Sequence, residues 1–104
     1  MDLSIKRLEE VWTADNQKLG LTEAIYHRLE GANPDLRLYA SYLNVQNFEY
    51  GDDYYIPTDF IQGREPETGR LLVKEKFITI LQNTWTRMPD FIVHGQGRLE
   101  KLDE

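Results

Sequence analysis

Cysteine is absent from this 104-residue chain, which excludes disulfides, thiolate nucleophiles and cysteine-ligated zinc, and fits a reducing compartment. Histidine occurs twice, at His27 and His94, too far apart in sequence to suggest a zinc pair, so both read as surface or rim residues. Long apolar runs are also missing. Stretches such as Leu71-Leu72-Val73 and Phe91-Ile92-Val93 fall far short of the ~20 residues that span a bilayer. The opening Met1 to Lys6 has no apolar centre of the kind a signal peptide carries. Cations are the minority: 12 Lys and Arg against 18 Asp and Glu give a net charge of −6. Binding to nucleic acid or to an anionic membrane surface draws on clustered cations. Here Lys6-Arg7 sits beside Glu9-Glu10, and Lys74 and Lys76 flank Glu75. The expectation is a soluble, cytoplasmic protein with no direct nucleic-acid contact and no membrane insertion.

What is present suffices for one core: 40% apolar residues, 12% of the chain aromatic, at a length typical of one domain. The expected single domain covers 1–104, with a barrel core at about 8–89 and a C-terminal extension at 90–104. Turn residues recur at short intervals: Asp15-Asn16, Gly31 through Asp35, Gly51-Asp52-Asp53, Gly63 through Gly69, and Gly95-Gln96-Gly97. Short strands between such turns predict a mainly β fold, a small barrel or sandwich.

Leu36 to Gln46 alternates, with Leu36, Leu38, Ala40 and Tyr42 on one parity. The apolar parity then passes to Leu43 and Val45, predicting a bulge or sharp bend. Tyr54 to Ile56 and Arg70 to Lys74 read as further strands, the latter central because it is apolar on both faces. Leu21 to Glu30 is ambiguous. Leu21, Ile25 and Leu29 form a helical stripe that Thr22 could cap and Gly31 could end, yet the same residues also alternate and the segment follows a hairpin-like turn, and that placement selects strand. Phe77, Leu81 and Trp85 recur every four residues up to Pro89, predicting a short helix over one barrel mouth, although Thr79, Ile80 and Thr84 lower its propensity.

The order of these elements resembles the PRC-barrel family, known from the photosynthetic reaction-centre H subunit and the C-terminal barrel of ribosome-maturation factors. Three pieces carry the resemblance: the strand and turn ending at Leu19-Gly20, the run Tyr54-Tyr55-Ile56-Pro57-Thr58-Asp59-Phe60-Ile61, and the strand Leu71-Leu72-Val73. Trp85 and Pro89 are similar to the tail of small stand-alone bacterial members. Gly20, Ile56, Pro57 and Trp85 are thus fold markers. Gly20 is expected to permit close backbone approach, and Pro57 to end a strand where no N–H partner exists. The resemblance implies an SH3-like β-barrel with a short C-terminal helix that docks onto a larger partner, with no catalytic residues to carry over.

No chemistry-bearing motif competes with that reading. Asp52-Asp53 with Asp59 lacks the alternating ligands of a calcium loop and reads as a solvated turn. Ser4 and Ser41 have no base nearby in sequence, a small filled barrel offers no cleft for paired carboxylates, and Gly95-Gln96-Gly97-Arg98 is too short for a phosphate loop. No cofactor is implied. Tyrosines are the exception to this blandness. Tyr39, Tyr42, Tyr50, Tyr54 and Tyr55, with Phe48, crowd one hairpin-sized segment, and adjacent Tyr54 and Tyr55 must face opposite sides of a strand, so at least one is expected to look outward. Since tyrosine is over-used at protein interfaces, these five form the candidate interaction surface. The expected function is a non-enzymatic protein-interaction module that binds a protein partner and self-associates. The alternatives are a small-ligand sensor using the mouth under Phe77 to Trp85, and a ribosome or RNA-processing accessory acting by protein docking.

Overall fold

Residues 4–29, 39–83 and 85–103 are described by the structure, a computed structural model. The first hairpin joins β1 (Glu10–Trp12) to β2 (Lys18–Arg28). Thr13 builds its turn. The Thr13 N–H donates to the Gln17 carbonyl at 2.8 Å, and its hydroxyl accepts from the Gln17 N–H at 3.0 Å and donates to Asp15 at 2.5 Å. Asn16 adopts φ 63°, a left-handed conformation that asparagine tolerates through its short polar side chain. It therefore fills a turn position where glycine is common.

β2 is a strand, as its placement predicts, despite the helical stripe. Pairing on both edges decides this against local propensity. β3 (Ser41–Asn47) runs along one edge, while β1 and then β7 (Gly97–Lys101) share the other. β4 (Asp52–Pro57) continues the meander, and β5 (Ile61–Arg64) and β6 (Leu71–Val73) form a second hairpin. The main path runs β4-β3-β2-β1-β6-β5, with β1 and β6 parallel and the other neighbours antiparallel. β6 is expected to be central; it is paired on both edges, by β1 and β5, but lies next to the end of the path, with Leu71 and Val73 fully buried and Leu72 half-buried.

Among the described residues this seven-stranded mixed sheet does not close into a barrel. A single 3₁₀ turn, Thr58–Phe60, joins β4 to β5 without a ladder between them. The reason lies on the outer edge of β4. The Tyr55 N–H points away from β3 and donates to the Trp85 carbonyl at 2.7 Å. Pro57 shares Tyr55's parity, so its missing N–H falls on the same edge, where proline is tolerated. The edge is sealed by the Trp85 segment instead of by another strand.

Two layers cover the sheet. On one face Val11, Leu19, Leu43, Val45, Tyr54, Ile56, Leu71 and Val73 form the main core with Ile80, Trp85 and Leu102. On the other face Tyr42 and Tyr55 pack on Phe91, with Tyr26, Tyr39 and Ile92 alongside. This second layer explains the parity change at Tyr42. β3 carries no bulge there, because its register with β4 is continuous from Tyr42↔Pro57 to Asn47↔Asp52. The irregularity lies in β2, between Thr22 and Ala24. Both faces of β3 are simply buried. Ala40 is exposed, and residues 36–38 of the expected strand lie outside the described residues.

The expected helix from Phe77 to Met88 is shorter: α1 spans Phe77–Gln82 and stops at Asn83, whose N–H and side-chain amide both donate to the Thr79 carbonyl. A second short helix, α2 (Asp90–Val93), follows. Residues 90–103 also pack against the sheet. Phe91 is fully buried, worth about 1.5–3 kcal/mol of transfer free energy, Leu102 enters the main core, and β7 pairs with β2.

Candidate interaction site at the hairpin end

Of the five candidate tyrosines, the fold leaves one fully in solvent. Tyr42, Tyr54 and Tyr55 retain 5%, 4% and 6% of their exposure, so the expectation that Tyr54 or Tyr55 looks outward is corrected. The two do face opposite sides of β4, but each side has its own layer. Tyr54 meets Phe77 in the main core, and Tyr55 meets Tyr26 beneath α2. Burial raises both phenol pKa values, with Asp52 beside Tyr54 and Asp53 beside Tyr55 adding to the effect. Tyr39 is half-buried, its ring edge-on to Tyr42 at 6.0 Å and to Phe60 at 5.6 Å. These rings stabilise the fold, each aromatic pair by about 0.5–1.5 kcal/mol beyond its burial.

Tyr50 is different. It is 74% exposed at the end of the β3–β4 hairpin, and Phe48 beside it is 64% exposed. Single exposed apolar side chains are ordinary, but these two stand on a braced tip. The Asn47 side-chain carbonyl accepts from the N–H groups of Glu49 and Tyr50, both at 3.0 Å. Its amide donates to the Leu19 carbonyl of β2 at 3.2 Å, and its backbone carbonyl accepts from the Gly51 N–H at 2.8 Å. Asparagine closing a turn on its own following N–H groups is a recurrent device. Here it fixes the angle at which both aromatics project.

Between the tip and the start of β2 lies an open cleft of about 330 Å³, flanked by Phe48 and Tyr50 and lined also by Lys18, Leu21, Gln46 and Glu49. Glu49 and Lys18 both line it, and Asp52 and Asp53 are exposed where β4 leaves the turn. Gly20 forms part of the floor. At φ +155°, a Cβ there would stand 2.4 Å from the Gln46 carbonyl oxygen, so the expected close approach of two backbone segments is present between β2 and β3. Phe48 belongs to the aromatic cluster evident in the sequence, whereas Asn47 escaped notice. The pattern Asn47-Phe48-Glu49-Tyr50-Gly51 carries the signal, an asparagine turn presenting two alternate aromatics.

The remaining markers are structural. Ile56 is fully buried, Pro57 ends β4, and Trp85 is 7% exposed with its ring 4.9 Å from Phe60. Ile80 and Phe77 pack in the same cluster as Trp85. His94 is exposed, while His27 is held between Glu100 (2.6 Å from Nε2) and Ser41 (2.7 Å from Nδ1). With Nε2–H donated to the Glu100 carboxylate, Nδ1 accepts from the Ser41 hydroxyl. The strands place these groups together, since His27 is paired with Ser41 on β3 and Glu100 is one step away on β7. The result is a polar ladder tying three strands. Among the described residues no three His, Asp or Glu side chains group as metal ligands, and no helix is long and apolar enough to cross a membrane. No family model, curated protein or solved structure matches this chain.

Proposed function

We propose that this chain is a non-enzymatic protein-interaction module, similar to the PRC-barrel family in the order of its elements but built on an open sheet, whose contact face is the β3–β4 hairpin end. The observation that carries the reading is the pair Phe48 and Tyr50, projecting from a turn that Asn47 holds rigid. Aromatic side chains on a pre-organised tip lose little conformational entropy on binding and give large contact area. The partner is a protein segment rich in Lys or Arg. Glu49 stands between the two aromatics in the chain, Asp52 and Asp53 follow them at the start of β4, and all three are exposed, so a cationic side chain that stacks on an exposed tyrosine face has carboxylates close by in the chain to pair with. The same carboxylates repel a phosphate backbone, in keeping with the net charge of −6.

Comparative affinity capture tests this. Wild-type protein and a Phe48→Ala/Tyr50→Ala variant, matched by circular dichroism, are incubated with an array of basic, neutral and acidic peptides. The expected outcome is retention of basic peptides by the wild type, weakened by salt and lost in the variant. Equal retention of basic and acidic peptides, or retention unchanged in the variant, contradicts the reading.

A further inference from the structure

Among the described strands β7 is the most exposed. It pairs with β2 alone, and Arg98, Leu99, Glu100 and Lys101 are all exposed. Among the described residues no other backbone group bonds its far edge. Exposed edges normally carry charges that discourage pairing. Here the charges are arranged to complement themselves. In an antiparallel pair of β7 strands centred on Leu99, Arg98 lies opposite Glu100 of the second copy, Glu100 opposite its Arg98, and Leu99 opposite its Leu99. A register one pairing step away sets Arg98 against Arg98, or Glu100 against Glu100, at the two-fold axis. Cross-strand opposite charges stabilise and like charges destabilise such pairs.

We propose that the free edge of β7 is a self-association surface, pairing antiparallel and isologously with β7 of a second copy about Leu99. The proposal rests on the self-association part of the interaction-module reading and gives it a location away from the hairpin end. The two-fold arrangement suits a C₂ dimer, in which one patch serves both subunits. It also gives a role to Leu99, 46% exposed on the face it shares with Tyr26. Glu100 can serve both partners. His27 engages its Oε1, and Oε2 remains for the guanidinium of the second copy. The sheet then runs continuously from β3 through β2 and β7 of one copy into the same strands of the other.

A charge-reversal cycle on the full chain, read by sedimentation velocity over a concentration series, tests the register. Arg98→Glu and Glu100→Arg each place like charges in both cross-strand pairs and should each weaken the dimer at least tenfold. Mixing these two variants should restore association as a heterodimer, and the double reversal should restore the homodimer. Because the chain has no cysteine, Leu99→Cys supplies an independent readout, with a single thiol at the axis. It should form a disulfide-linked dimer under mild oxidation far faster than Glu67→Cys on an exposed turn. A wild type that stays monomeric throughout, single reversals that leave the dimer intact, a mixture that fails to pair, or equal rates of disulfide formation would each overturn the proposal. A dimer lost in Phe48→Ala/Tyr50→Ala but retained in both reversals would overturn it too, while leaving the hairpin-end reading in place.

Discussion

Replacing Gly20 by alanine perturbs a place where two strands nearly touch through their backbones. The added Cβ meets the Gln46 carbonyl oxygen at 2.4 Å, its carbon at 2.7 Å and the Asn47 nitrogen at 3.0 Å. A relaxed carbon–oxygen contact is about 3.3 Å or longer, so β3 must retreat by roughly 1 Å or the Leu21↔Gln46 pairing must open. Neither neighbour is a flexible side-chain end. Overpacking of this kind costs about 1–3 kcal/mol, and an alanine held at φ +155° adds about 1–3 kcal/mol of backbone strain. The sum, about 2–6 kcal/mol, is a large part of the ~5–15 kcal/mol that stabilises a domain. At ~4–8 °C per kcal/mol for a domain near this size, Gly20→Ala should melt roughly 10 °C or more below wild type. Urea denaturation with an unchanged m-value is the cleaner assay. Gly69→Ala is the control, because a Cβ there meets nothing within 4 Å and only the φ of +74° opposes it. If Gly20→Ala costs no more than Gly69→Ala, the steric argument is refuted.

The bidentate contact of Arg64 with Glu9, at 2.6 and 2.8 Å, holds the Glu9 carboxyl below its ordinary value, first through the Arg64 hydrogen bond. A depressed folded-state pKa stabilises the fold above the unfolded value near 4.5 and loses that contribution as pH falls through the folded value. The stability gap between wild type and Glu9→Gln should therefore be about 1–2 kcal/mol at pH 7 and shrink below pH 4.5. A gap constant from pH 7 to pH 3 in urea melts contradicts the assignment. Tyr54→Glu buries a carboxylate in the main core and Tyr55→Glu one in the aromatic layer under α2, and each should cost about 3 kcal/mol or more, on the order of an uncompensated buried charge. Retention of a wild-type melt by either variant would mean that the tyrosine faces solvent after all.

Several parts of this architecture were legible in the sequence because they rest on local chemistry. Gly20 announced a close approach, Pro57 a strand end, and Leu71-Leu72-Val73 a strand covered on both sides. Segment 21–30 was readable as strand only from the turn before it, since its own stripe is helical. What the sequence hid depends on chain segments that fold back from a distance. Tyr54 and Tyr55 are both buried because Phe91 of α2 covers the face that alternation alone assigns to water. The sheet stays open because a carbonyl at Trp85 occupies the β4 edge. β7 escaped detection because a strand of Gly97-Arg98-Leu99-Glu100-Lys101 has no buried face to imprint an alternation. The interaction site was half legible: Tyr50 and Phe48 stood out by type, but their exposure is set by the Asn47 turn.

Site-specific photocrosslinking in the native cell tests the hairpin-end assignment most directly. A photoreactive phenylalanine analogue at position 50 keeps an aromatic ring where Tyr50 projects, and the same analogue at position 67 samples an exposed turn elsewhere. The account predicts a discrete adduct from position 50 with a protein whose crosslinked segment is rich in Lys and Arg, and none from position 67. Identical adduct patterns from both positions, or no adduct at position 50, would contradict it.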